Sequence, residues 1–131
     1  MSSTTIIVAE SDYQRLSSLI DSAQSAAAEA LDAELSRAEI VADPLLPPDT
    51  VAMGSTVTFR DQDSGEQTTV TLVYPREADV DRMRISVLSP VGSALIGLGI
   101  GGAIDWPVPG GRQRRLEVIA VKQAAREVAE P

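Results

Sequence analysis

The hydrophobic pattern of the first third of the chain is helical. After a short apolar run at 5–8, apolar residues recur every three or four positions from residue 16 to residue 41, which is typical of one face of an α-helix. Ser11 and Gln14 form a capping-box pattern at the start. No glycine or proline interrupts 11–43, so the pattern allows one long helix or two helices that meet within 21–27. Folding back would bury the apolar stripe most economically.

After residue 50 the pattern changes to β-strand alternation. The linker 43–50 contains three prolines, which end the helical region and stiffen the connection. Ser89 and Pro90 predict a short helix, with Ser89 as its N-cap and Pro90 at its first position. Alternation of apolar and polar residues predicts four strands, and a fifth precedes a Pro-Gly-Gly turn at 109–111. The strands are predicted at 55–61, 68–74, 82–88, within 101–108, and at 115–121.

The chain is therefore predicted to be an α+β protein. Residues 1–43 are expected to form the helical region, and residues 44–131 an antiparallel β-sheet domain with a short helix. The apolar fraction of 44% is enough for a real core, and aromatic residues make up only 3% of the chain. The core is accordingly expected to consist of Val, Ile, Leu and Ala.

A glycine-rich stretch, Gly-Leu-Gly-Ile-Gly-Gly at 97–102, matches the pattern G-x-G-x-x-G of nucleotide-binding loops. Such a loop must open a helix, whose N-terminus holds the phosphate. Pro107 and Pro109 exclude a helix directly after Gly102. We therefore interpret the glycines as a tight junction between the short helix and the next strand, and expect no nucleotide cofactor.

Composition and charge exclude several classes of function. The chain has no Cys and no His, so thiolate nucleophiles, zinc sites and imidazole catalysis are excluded. A net charge of −8 argues against direct nucleic-acid binding. The uncharged run 85–104 contains serine, proline and glycine, and we interpret it as core and turns, with no membrane span. The N-terminal residues lack the pattern of a signal peptide, and the absence of Cys fits a cytoplasmic protein.

The residues 85–111 resemble the C-terminal domain of the bacterial GreA/GreB transcript-cleavage factors. The matching pattern runs Ile-Ser-x-x-Ser-Pro at 85–90, Ala-Leu-x-Gly at 94–97 and Pro-Gly-Gly at 109–111. Upstream matches extend the resemblance over about 49–122. The whole chain resembles the Rnk group of that family, through Thr-Ile-Ile-Val at 5–8 and Ala-Leu-Asp-Ala-Glu-Leu at 30–35.

This resemblance implies a short antiparallel helical hairpin, with its turn within 21–27, before an FKBP-like sheet domain. It also implies binding to RNA polymerase near the secondary channel, in competition with Gre factors. The loop and helix around Ser89, Pro90 and Val91 are the implied docking surface. An FKBP-like prolyl isomerase and a self-assembling structural protein, with Ala-rich faces packed between chains as a homo-oligomer, stay open as alternatives.

Gre factors carry a long coiled-coil arm whose acidic tip helps to hold a catalytic magnesium ion. Asp21 and Glu29 are expected near the hairpin tip here, and carboxylates suit magnesium. The first helix provides only about 11 residues before the tip, roughly 16 Å. We therefore expect an exposed acidic tip with no bound metal, and no enzymatic activity.

Overall fold

The predicted helical hairpin is present. The computed structural model of the chain describes residues 6–107 and 113–124. Helix α1 spans Glu10–Ala23 and helix α2 spans Ala26–Leu35. Between them, Gln24 has a left-handed backbone, and the Ser25 side chain caps α2 by accepting a 3.1 Å hydrogen bond from the Ala28 amide. The turn therefore lies within the predicted range 21–27.

Two short strands hold the open end of the hairpin together, and the second was not predicted. Strand β1 (Ile7–Ala9) pairs in parallel with strand β2 (Glu39–Val41). The expectation that helical structure continues to Val41 was wrong. The helix ends at Leu35, and the Glu39 amide donates a 2.9 Å hydrogen bond to the Ile6 carbonyl. The spacing of Ala38 and Val41 imitates a helical face, but their backbone belongs to a strand.

The predicted capping role of Ser11 was also wrong. Helix α1 begins one residue earlier, at Glu10, and its N-cap Ala9 makes no side-chain cap. Ser11 contacts Asp43 instead: its amide is 3.0 Å from Oδ1 and its hydroxyl is 2.5 Å from Oδ2. The local sequence pattern predicted that the Ser11 side chain caps the helix. It bonds instead to a residue 32 positions away.

A five-stranded sheet forms the second part of the molecule. Its order is β5-β4-β3-β7-β6, and all its pairs are antiparallel except β4 with β5. The chain reaches β5 through short 3-10 turns at Pro75–Glu77 and Val80–Arg82. This connection returns the chain alongside β4, so that β5 runs parallel to β4. The expected purely antiparallel sheet is therefore not formed. The strands are β3 (Thr56–Asp61), β4 (Gln67–Val73), β5 (Arg84–Ser86), β6 (Ala103–Pro107) and β7 (Gln113–Lys122).

One hydrophobic core joins the hairpin to the sheet. The fully buried side chains of α1 and α2, Leu16 and Leu31, belong to the same cluster as Val57 of β3 and Leu72 of β4. Helix α3 (Pro90–Leu95) adds Leu95 to this cluster and contacts α2. The Pro-Gly-Gly turn predicted at 109–111 lies outside the described residues.

The glycine-rich stretch is a junction between backbone segments, as interpreted from the sequence. Gly97 has φ +84 and follows the end of α3; strand β6, not a helix, begins after Gly102. The Gly97 carbonyl accepts a hydrogen bond from the Ile7 amide (3.1 Å), and the Gly97 amide donates one to the Val51 carbonyl (2.9 Å). Further along, the Gly101 amide donates to Val118 (2.8 Å). The stretch therefore connects β1, the end of the linker and β7.

Replacing Gly97 should be much more harmful than replacing a glycine of similar backbone angle elsewhere. A Cβ at Gly97 would lie 2.7 Å from Ile6 Cβ, whereas a Cβ at Gly65 (φ +80) meets nothing within 4 Å. Left-handed strain costs an alanine about 1–2 kcal/mol, and forcing an atom into a packed site costs about 1–3 kcal/mol more. We expect Gly65→Ala to lower the free energy of unfolding by about 1 kcal/mol and Gly97→Ala by about 3 kcal/mol. Urea denaturation of both variants measures this, and equal losses would contradict the junction.

Candidate functional site

The N-terminus of α3 is built by a short network of hydrogen bonds. The Ser89 hydroxyl accepts from the Gly92 amide (3.0 Å) and donates to the Ser86 carbonyl (2.7 Å). Pro90 occupies the first helical position, as predicted. A Cβ at Gly92 would lie 2.1 Å from the Ser86 oxygen, so only glycine allows this approach. Ser89 therefore holds the loop in shape, while Pro90 is exposed on the surface.

Val91 lies at a small cleft between α3 and the sheet. The cleft has a volume of about 180 Å³. Within it, the buried carboxylate of Asp61 forms an ion pair with Arg114 at 3.1 Å, and Asp61 Oδ1 accepts from the amides of Asp63 and Ser64. Val91 is half-buried and packs against the core. The lining is Phe59, Asp61, Glu66, Thr68, Val91, Arg114 and Leu116.

The two acids predicted at the hairpin tip lie close to each other on the surface. Asp21 is on the last turns of α1 and Glu29 is on the first turn of α2. Both are exposed, and together with Asp32 they line one shallow cleft. Within residues 6–107 and 113–124, no group of three potential metal ligands comes together. Helix α1, with 14 residues, is about 21 Å long. The tip thus carries acids on a short arm.

The structure reveals a polar cleft at the base of the hairpin that sequence reasoning missed. Its volume is about 450 Å³, and it lies where α1 meets the start of β3 and the end of β4. Asp12 is buried, and its Oδ2 accepts a 3.2 Å hydrogen bond from the Met53 amide. Asp43 receives both bonds from Ser11 on the same side. Each acid therefore fastens α1 to a segment distant in sequence, a contact that no local pattern could show.

Tyr74 marks the point where this cleft continues along α1. Burial raises the pKa of the Tyr74 hydroxyl above its usual 10.0, and the charge of Asp12 raises it further, while Arg15 partly opposes the shift. Arg15 lies near the hydroxyl, but the two groups do not meet the geometry of a hydrogen bond. Among the described residues the hydroxyl has no hydrogen-bond partner. Burial and the charge of Asp12 both favour the neutral phenol of Tyr74.

Both parts of the chain match models of known families. Residues 46–123 match the C-terminal region of the transcription elongation factors GreA/GreB, and residues 4–41 match the Rnk N-terminus. The chain is 40% identical to the "Regulator of nucleoside diphosphate kinase" of Escherichia coli K12, over 93% of this chain and 92% of that protein. The chain belongs to the GreA/GreB family, in its Rnk group. The resemblance inferred from the sequence is thereby confirmed.

Other members show which part of the GreA/GreB fold is shared. GreA of Rhodospirillum rubrum is 50% identical, over 58% of this chain and 48% of that protein. A solved GreA/GreB factor from Nitrosomonas europaea superposes with a TM-score of 0.79 at 42% identity, covering 92% of this chain and 99% of the other. Gfh1 of Thermus aquaticus, at 24% identity, a TM-score of 0.53 and the same coverage, shares the fold alone. The mixed helix-and-sheet fold is thus common to the family.

The structure separates the residues that sequence reasoning placed in functional sites. Ser89, Pro90 and Val91 form one continuous surface at the start of α3, whereas Asp21 and Glu29 lie at the hairpin tip on other elements. Arg114 and Arg115 form ion pairs with Asp61 and Asp105. No helix in the described part of the chain is long and apolar enough to cross a membrane.

The buried Tyr74 gives a measurable pH dependence. The chain has two tyrosines, so in Tyr13→Phe the tyrosinate absorbance near 295 nm reports Tyr74 alone. Because burial raises the pKa of Tyr74, we expect a midpoint above 10. The stability that this group contributes is fully present below the unfolded pKa, and is lost as the pH rises through the folded pKa. A midpoint at or below 10 in the folded variant would contradict the burial of the hydroxyl.

Proposed function

We propose that this chain is an RNA polymerase-binding regulator of transcription that docks near the secondary channel and competes with Gre factors. The observation that carries the proposal is the match of residues 46–123 to the GreA/GreB C-terminal region, which includes the surface at the start of α3. The relative from Escherichia coli is named a regulator of nucleoside diphosphate kinase, so a regulatory role, with no reaction of its own, fits both comparisons.

We also propose a topology for the sheet domain, a cellular location and a docking surface. Five strands with a short helix packed against them support an FKBP-like topology for the sheet domain, with the division from the hairpin near Asp43. A polymerase-binding protein works in the cytoplasm of bacteria. The docking surface consists of Pro90 and Val91, held in position by the capping hydroxyl of Ser89.

Competition with a Gre factor tests the shared site directly. Purified core RNA polymerase is immobilised and loaded with the labelled chain, and a Gre factor is then added in excess. We expect the Gre factor to displace the chain. Binding that is unaffected by a saturating Gre factor would remove the shared-site proposal, and no binding to polymerase at all would remove the proposed partner.

A charge at Val91 should weaken polymerase binding. A buried, unpaired charge costs roughly 2 kcal/mol or more, which corresponds to about a thirtyfold increase in Kd. We therefore expect Val91→Asp to bind at least about thirtyfold more weakly. The matched control is Val80→Asp, since Val80 is 83% exposed and lies in the connection between β4 and β5.

Two checks keep this result interpretable. Circular dichroism must show that Val91→Asp is folded, because Val91 also packs against the core. Pro90→Glu introduces the charge at a neighbouring exposed position and should weaken binding in the same direction. Undiminished binding by both folded variants would refute the docking surface.

The chain should not stimulate transcript cleavage. Carboxylates act on magnesium only at about 2.0–2.1 Å, and a 14-residue α1 extends the tip by only about 21 Å. In a stalled elongation complex with labelled transcript, we expect no shortened RNA. Asp21→Ala with Glu29→Ala should leave the competition with Gre factors unchanged. Cleavage that disappears in this double variant would show that the tip reaches the active site.

A further inference from the structure

A second groove runs along α1 beside the connection that follows β4. It has a volume of about 500 Å³ and is open to solvent. Leu19, Tyr74 and Pro75 give it a half-buried apolar floor, and the exposed Arg15 and Arg76 stand on its sides. Glu77 completes the lining. All six residues belong to the part of the chain that the structure describes.

The two arginines of this groove differ from most others in the structure. Five described arginines form ion pairs with carboxylates: Arg37, Arg60, Arg82, Arg114 and Arg115. Arg15 and Arg76 form none with any described carboxylate, although the chain has 19 acids for 11 bases and Glu77 lines the same groove. The groove therefore presents two positive charges and the one negative charge of Glu77 next to an apolar floor, in a protein whose net charge is −8.

The geometry favours a particular kind of partner. Arg15 and Leu19 lie four positions apart on α1, so they are neighbours on one face of the helix. We propose that this groove is a docking site for a protein segment that presents a carboxylate one helical turn away from a large apolar side chain. The carboxylate pairs with Arg15 and Arg76, and the apolar side chain covers Leu19, Pro75 and the ring of Tyr74.

The charge of the whole chain does not prevent this contact. Screening reduces interactions beyond about 8 Å at physiological salt, so the acids at the hairpin tip act weakly on a bound segment. Asp12 is close enough to act on Tyr74, but it is buried and accepts a hydrogen bond from the Met53 amide. In the lining of the groove itself, the two arginines outnumber the one carboxylate, Glu77. The apolar floor adds a contribution that ions do not screen, because the burial of apolar surface is not a charge–charge interaction.

The groove and the start of α3 lie at opposite ends of the sheet. Val91 is next to Asp61 and Leu116, where β3 ends and β7 begins, whereas Tyr74 follows β4 near the start of β3. The length of β3 separates them by about 16 Å. The groove is therefore a separate surface, and this inference does not depend on the polymerase proposal.

A designed peptide tests the groove directly. The probe is a terminally blocked, alanine-rich peptide of about 15 residues, long enough to form helix, with Glu and Leu four positions apart. It is titrated into the isotope-labelled full chain, and the amide signals are followed by nuclear magnetic resonance. We expect shifts concentrated at residues 15–19 and 74–77. A peptide with Gln in place of every Glu should bind at least about tenfold more weakly.

Two protein variants complete the design. Arg76→Glu should weaken the peptide at least about tenfold, because it places a like charge against the carboxylate. Arg84→Glu is the matched control: Arg84 is also exposed and forms no ion pair with a described carboxylate, and the change in net charge is the same. It should leave the Kd within about twofold.

Three outcomes would overturn the proposal. The first is the absence of shifts in the groove at millimolar peptide. The second is equal binding of the Glu and Gln peptides, which would mean that no carboxylate is recognised. The third is an equal loss in Arg76→Glu and Arg84→Glu, which would mean that only the net charge matters.

Discussion

The placement of the hairpin depends on the close approach of β1 to Gly97. The Ile7 amide reaches the Gly97 carbonyl at 3.1 Å, and Ile6 occupies the space that a side chain at 97 would need. The same turn bonds to Val51 through two backbone contacts, Gly97 to Val51 and Val51 to Leu98. Three segments distant in sequence therefore satisfy their backbone groups at one point. Because these groups are buried with the core, the hairpin is fixed at its base.

The base and the tip of the hairpin differ in the contacts that their acidic residues make. At the base, Asp12 of α1 accepts a hydrogen bond from the Met53 amide, and Asp43 accepts two hydrogen bonds from Ser11 of α1. At the tip, Asp21 and Glu29 are exposed, and α1 contacts α2. The base thus lies against the sheet, and the tip extends about 21 Å along α1.

The sequence allowed most of the architecture to be predicted, and its failures have identifiable causes. The division into two helices followed from the family resemblance, since the sequence pattern also allowed one long helix. Periodicity located the helical region, and alternation located four of the five strands, because burial of one face dictates these patterns. It failed at β2, where Ala38 and Val41 continue a helical spacing in a segment whose hydrogen bonds go to β1. It failed at Ser11, whose partner Asp43 is distant. The groove beside Tyr74 could not be found either, since it combines residues of α1 with residues that follow β4.

The contacts of Asp12 and Asp43 explain part of the charge pattern of the hairpin. Residues 1–50 hold nine acids and two arginines, which from the sequence alone suggests simple solubility. The structure uses Asp12 and Asp43 as acceptors for distant donors, so these two acids are part of the fold. Of the two arginines, Arg37 pairs with Glu34 on the same turn, whereas Arg15 lines the groove together with Arg76. In the proposed docking site, this one cation of an acidic hairpin is a group that accepts the negative charge of the partner.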